Sequence, residues 1–153
     1  MAEAAFTPKD PHFEHRVRAS FERQPAMKTI GAFLSVIDPG HVQIELPYSQ
    51  ALTQQHGFLH AGMIATALDS ACGYAAFTLM PDDAGILTIE YKINLVAPGK
   101  GQLFRMEATV VKPGRTITLV EGKAFAIDEG KGKLIATMTA TEMTIIGRDD
   151  VKH

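Results

Sequence analysis

Along residues 61–80, apolar side chains fall on every face that a helix could offer. The run AGMIATALDSACGYAAFTLM is apolar almost all round, so the helix it predicts needs cover on most of its surface. Upstream the pattern is more regular. Phe13, Val17 and Phe21 recur at helical spacing with Arg16, Arg18 and Glu22 on the other side, which predicts a short amphipathic helix ending near Gln24-Pro25. Residues 29–37 read as a strand, Asp38-Pro39-Gly40 as a turn, and His41 to Leu46 as a half-buried strand with Val42, Ile44 and Leu46 inward. The two strands form a hairpin. After the central helix, Pro81 to Gly85 is a stop, and four strand patterns follow at residues 86–96, 102–111, 116–127 and 134–146. Their connections, 97–101, 112–115 and 128–133, carry the Gly, Pro and Asp chemistry of turns. The order predicts an α+β fold in which a curved antiparallel sheet wraps the long helix. One helix and one sheet leave a face open, so a dimer joining two sheets is expected too. Residues 1–11 are expected to be a flexible N-terminus, 12–147 a single domain and 148–153 a flexible tail.

A chain of 153 residues with 46% apolar and 21% charged residues has the composition of an ordinary globular domain. The net charge of −2, with no basic run, argues against a nucleic-acid surface. Cys72 is the single cysteine, so an intrachain disulfide and a cysteine zinc cluster are both impossible. That agrees with a cytoplasmic location, as does an N-terminus, MAEAAFTPKD, without the pattern of a secretory signal. The central run is long enough to span a bilayer, but Asp69 and Ser70 at its middle and the strands around it favour burial in protein.

Asp69 changes the picture most. A carboxylate on an otherwise apolar buried helix is costly unless it is paired, protonated or used. The bland account gives it a partner across a contact between copies; the functional account gives it chemistry, because strongly desolvated carboxylates gather at functional sites. His56 and His60 with Asp69 and Cys72 do not make a metal site. The histidines lie in a glycine-interrupted loop and the acid lies far along the helix. Cys72 and Tyr74 read as core or interface residues.

The order of elements, with Gln54, Gly57, His60-Ala61-Gly62 and Asp69, resembles the hotdog-fold thioesterases of the PaaI type, the phenylacetyl-CoA group. Their signature is Asn, Gly, His-Gly-Gly and then an Asp or Glu eight residues after the first glycine of the triplet. Residues 88–98, TIEYKINLVAP, are similar to the strand that follows the helix in that family, and Lys112-Pro-Gly-Arg-Thr116 to its turn at the coenzyme A nucleotide. The likeness covers residues 28–146. Ala61 departs from the first glycine of the triplet and Gln54 from the asparagine, although Ala61 keeps a backbone N–H and Gln54 keeps the amide.

The resemblance implies hydrolysis of an aryl- or medium-chain acyl-CoA to the acid and coenzyme A, with no metal or redox cofactor. The N-terminal turn of the helix, at His60 and Ala61, offers unpaired N–H groups and the positive end of the helix dipole to the thioester oxygen. Gln54 would aim at the substrate, Asp69 would be general base or nucleophile, and Thr88 would hold the water. Phe58, Leu59 and Met63 could line an acyl pocket. Lys112, Gly114, Arg115 and Thr116 are the expected phosphate contacts, two cations beside a glycine turn suiting a diphosphate.

Spacing adds a constraint. Asp69 lies eight residues beyond Ala61, about 12 Å along a helix at about 1.5 Å per residue, yet both must act within about 3 Å of one carbonyl. Two antiparallel helices from two copies satisfy this, which predicts a homodimer, extended by the resemblance to a homotetramer, with sites shared across a dyad. The alternatives are a thioesterase acting on acyl carrier protein and a non-catalytic acyl-CoA binding protein, the latter kept open by Ala61 and Gln54. The dehydratase branch of the fold lacks its His and Glu pairing here.

Overall fold

The computed structural model describes residues 6–152. Helices α1 (Phe13–Glu22) and α2 (Pro25–Ile30) precede a hairpin of β1 (Phe33–Asp38) and β2 (His41–Pro47). The long helix α3 (Ala61–Phe77) leads to β3 (Gly85–Leu95), β4 (Leu103–Lys112), β5 (Ile117–Asp128) and β6 (Lys131–Ile145). These strands form one antiparallel sheet in the order β1-β2-β4-β5-β6-β3. Helix α3 lies across its inner face and touches every strand from β2 to β6. The expected helix wrapped by a curved antiparallel sheet is therefore the observed architecture. No helix among the described residues is long and apolar enough to cross a membrane.

Alternation builds the core. Val42, Ile44 and Leu46 of β2, Phe104, Met106 and Ala108 of β4, and Val120, Ala124 and Ala126 of β5 are all buried, as a sheet with one face on a helix requires. Helix α3 answers with small residues: Ala67, Ala71, Cys72, Ala75 and Ala76 are buried with Ile64, Leu68 and Phe77. At Gly122 the strand passes so close to the helix that an added Cβ would lie 2.9 Å from Leu68 Cδ1 and from Cys72 Sγ.

Two local expectations need correction. Residues 29 and 30 belong to α2 rather than to the first strand. Pro25 occupies the start of that helix and Gly31, at φ 78°, its left-handed end, the usual placement of both residues. The connection expected at 128–133 is only Glu129 and Gly130, both at positive φ (49° and 74°), a two-residue hairpin turn of the primed kind.

Of the N-terminal segment expected to be flexible, residues 1–5 lie outside the described residues. Asp10 beyond them is buried and accepts from Arg16 Nε at 2.7 Å. Arg16 in turn donates to the carbonyls of Phe77 and Met80 at 3.2 and 2.9 Å and stacks 4.1 Å from the Phe77 ring centre. Helix α1 thereby supplies a cation to the carbonyl end of α3, where the helix dipole favours one.

Candidate active site

The N-terminus of α3 is set by a loop whose bonds hold it in place. Leu59 N–H donates to Gly99 O, and His60 N–H to Leu52 O. His60 is the N-cap: its Nδ1 accepts from Gly62 N–H at 2.8 Å, while its carbonyl accepts from Met63 and Ile64. That leaves the Ala61 N–H as the amide of the first turn with no hydrogen bond among the described residues, pointing the dipole's positive end at open space. The Nδ1 atom of His60 is thus engaged in capping the helix. Gln54 accepts from His56 N–H through its side-chain oxygen, and its NH2 group makes no hydrogen bond among the described residues. Gln54 and Ala61 border a cavity of about 450 Å³ with Phe58, Leu59, Ile64 and Leu95. Met63 is not among the residues that line it.

Two turns further along α3, Asp69 faces a second cavity, of about 200 Å³, bordered by Ser70, Tyr74, Leu87, Thr88 and Glu142. Thr88 Oγ1 lies 2.9 Å from Asp69 Oδ1, so α3 and β3 bring these two residues together. The same oxygen lies 3.0 Å from Glu142 Oε2. Thr88 sits beside a bulge in β3, where the pairing with β6 shifts between Thr88 and Glu90; bulges next to sites re-aim side chains. Burial holds the Asp69 carboxyl above the usual carboxylate range, against the pull of the Thr88 hydroxyl. Glu142 is pushed up to about 7, by burial first and by the charge of Asp69 as well, again against Thr88. The Cys72 thiol is pushed up by burial and by both acids, which makes it a poor nucleophile.

Glu142 is missing from the residues singled out by sequence, though a signal was present. In ATMTATEM, Ala136, Met138, Ala140 and Glu142 share one phase of the strand, and the first three are buried core residues. A glutamate in register with such a row is a buried acid.

Of the expected phosphate contacts, Gly114 and Arg115 border a third cavity, about 410 Å³, together with Lys9, Leu79 and Met80 at the other end of α3. Lys112 and Thr116 are exposed but outside its lining. The Gly114 N–H is turned toward Thr118 Oγ1 at 3.4 Å, and a Cβ on Gly114 would lie 2.0 Å from the Ile117 carbonyl, so only glycine fits this turn.

A long helix gripped by a curved antiparallel sheet defines the hotdog fold. The family model of the thioesterase superfamily matches residues 56–133. A thioesterase family protein from Silicibacter pomeroyi has 53% identity and a TM-score of 0.87, over 88% of this chain and 99% of that one. A Saccharolobus solfataricus protein, named only as a candidate esterase, is 35% identical over 64% of this chain and 67% of its own length. The PaaI protein of the Escherichia coli phenylacetic acid degradation operon shares the fold: its TM-score is 0.77 at 17% identity, over 88% of this chain and 94% of that one. The chain belongs to the thioesterase superfamily and is a thioester hydrolase.

Proposed function

We propose that the chain hydrolyses an aryl- or medium-chain acyl-CoA at two equivalent sites shared between the copies of a homodimer. The observation that carries this reading is the position of the two half-sites relative to β3. Residues Leu87 and Thr88 near the start of that strand border the Asp69 cavity, and Leu95 and Val96 at its end border the Ala61 cavity. Strand β3 is an edge of the sheet, with Leu87, Ile89, Tyr91 and Leu95 exposed, and such an edge invites a partner. Antiparallel pairing of two β3 strands about a dyad near the middle of the strand brings the start of one, with Thr88, toward the end of the other, with Leu95. Each Asp69 then meets the other copy's Ala61 and Gln54. On the sheet's outer face, exposed Val111, Ile117 and Leu119 support a further step to a homotetramer.

In that site the thioester oxygen accepts from Ala61 N–H, with the Gln54 amide beside it. Asp69 takes a proton from water as the hydroxide adds to the carbonyl carbon, and returns it to the departing thiolate; the products are the acid and coenzyme A. As nucleophile, Asp69 would instead form an anhydride that water then opens. The apolar walls of Phe58, Leu59 and Leu95 suit an aryl or medium-chain acyl group. Arg115 and Lys112, with Lys9 now added beside Arg115, supply charge for the phosphates.

Thiol release from a panel of acyl-CoAs tests the reading. Asp69→Asn should lose about 10²- to 10⁴-fold in kcat, the usual worth of a positioned base, while still binding the substrate. Equal and negligible release from both proteins, with tight acyl-CoA binding, would instead identify a binding protein. Turnover confined to acyl carrier protein thioesters would move the substrate class.

A further inference from the structure

The cavity beside Asp69 holds a second carboxyl group that the scheme above leaves idle. Glu142 stands directly across from Thr88 on β3 and from Thr118 on β5, and it is wholly buried. Its Oε2 is 3.0 Å from Thr88 Oγ1, which is itself 2.9 Å from Asp69 Oδ1. Its Oε1 has no hydrogen-bond partner among the described residues.

A hydroxyl carries one proton, so Thr88 can donate to Asp69 or to Glu142 but not to both. With both acids ionised, one of these contacts would set lone pair against lone pair, and the buried Oε1 would carry charge with no donor. A neutral Glu142 removes both penalties. Among the described residues, the groups around it offer no positive charge to hold it ionised. Helix α3 presents Asp69, Cys72 and Tyr74, and the flanking strands present Thr88 and Thr118. Arg23 acts on the Tyr74 hydroxyl instead.

We propose that Glu142 is a positioning residue held as a neutral acid. Its O–H donates to Thr88 Oγ1, which commits the Thr88 proton to Asp69 Oδ1 and leaves Asp69 ionised with Oδ2 free for chemistry. The chain of donors runs one way, Glu142 to Thr88 to Asp69. The inference deepens the proposed function and rests on Asp69 as the catalytic carboxylate. It also revises the part given to Thr88: that hydroxyl spends its proton on Asp69, so it can touch water only as an acceptor.

The arrangement has a pH signature. Above about 7 Glu142 ionises, two carboxylates then compete for one proton, and Asp69 loses its fixed donor. The test is the pH profile of kcat for acyl-CoA hydrolysis by wild type, Glu142→Gln, Glu142→Ala and Asp69→Asn. Wild type should fall on the alkaline side with a midpoint near 7. Glu142→Gln, whose amide donates to Thr88 at every pH, should stay within about threefold of the low-pH wild-type rate and lose the fall. Glu142→Ala should lose about tenfold in kcat, the scale of one buried hydrogen bond, with little change in KM. An unchanged alkaline limb in Glu142→Gln, or full activity in Glu142→Ala, overturns the proposal. A fully active Asp69→Asn would overturn the underlying reading instead, so the two failures are distinct. Carbon-13 titration of glutamate-labelled wild-type protein needs neither turnover nor a folded variant. A carboxyl with a midpoint near 7 is expected, and a spectrum in which every glutamate titrates below about 5, near the ordinary value, contradicts it.

Discussion

Glu142 and Asp69 hold a proton more firmly in the folded chain than in the unfolded one, and this gives stability a definite slope with pH. For Glu142 the ordinary value is 4.5 and the folded value about 7. Between them the folded state keeps a proton that the unfolded state has released. The contribution is complete at and below 4.5 and is lost as pH rises through about 7. Its ceiling is about 3 kcal/mol, from about 1.4 kcal/mol per unit. Asp69 acts with the same sign. Asp10, held low by Arg16, acts oppositely, but only near and below its ordinary 3.8. Urea unfolding should therefore give a less stable protein at pH 8 than at pH 5, and Glu142→Gln should remove most of that difference; a wild type that is flat across this window contradicts the burial of a neutral acid. Asp69 was legible as a charge out of place on an apolar run. Glu142 was harder to see: the threonines at 137, 139 and 141 mark one phase of its strand as polar, but small Ala136 and Ala140 make the other phase, which Glu142 shares, only weakly apolar until its burial is known.

Between elements, β5 passes close to α3 at Gly122. A methyl there would press on Leu68 and Cys72 at 2.9 Å, and both side chains are fully buried. Gly122→Ala should cost about 1–3 kcal/mol, the range for overpacking a filled core, read as a lower urea midpoint at constant slope. No loss would mean that the helix can slide away from the sheet. Most elements could be read from periodicity, since one-sided strands alternate and a helix buried on most sides does not. Helix α2 escaped because Thr29 and Ile30 are β-branched and run into the strand pattern at Phe33. Its real markers were Pro25 at one end and Gly31 at the other. The strand order, which places β3 at the edge beside β6, follows from long-range pairing that no local pattern encodes.

For the whole molecule, the proposed homodimer rests on the spacing of Ala61 and Asp69 and on the exposed edge strand β3. Complementation tests this directly. Ala61→Pro removes the bare N–H, and His60 before it already has the extended backbone, φ −62° and ψ 136°, that a following proline requires. Asp69→Asn and Ala61→Pro should each be inactive alone. Refolded together in equal amounts they should recover about a quarter of wild-type activity, since half of the dimers are hybrids and each hybrid keeps one intact site. No recovery would place each site within one chain, and the sedimentation mass of the same samples distinguishes dimer from tetramer.

The open edge of β3 has another consequence. Ile89, at the bulge, is 53% exposed, and Leu87, Tyr91 and Leu95 flank it beside a row of unpaired backbone groups. A lone chain therefore offers an adhesive template to any foreign strand it meets during synthesis. If the proposed homodimer covers this edge, dilution would cost more than turnover: time spent unpaired would be time at risk of capture into aggregates, with chaperone demand greatest before a second copy is found.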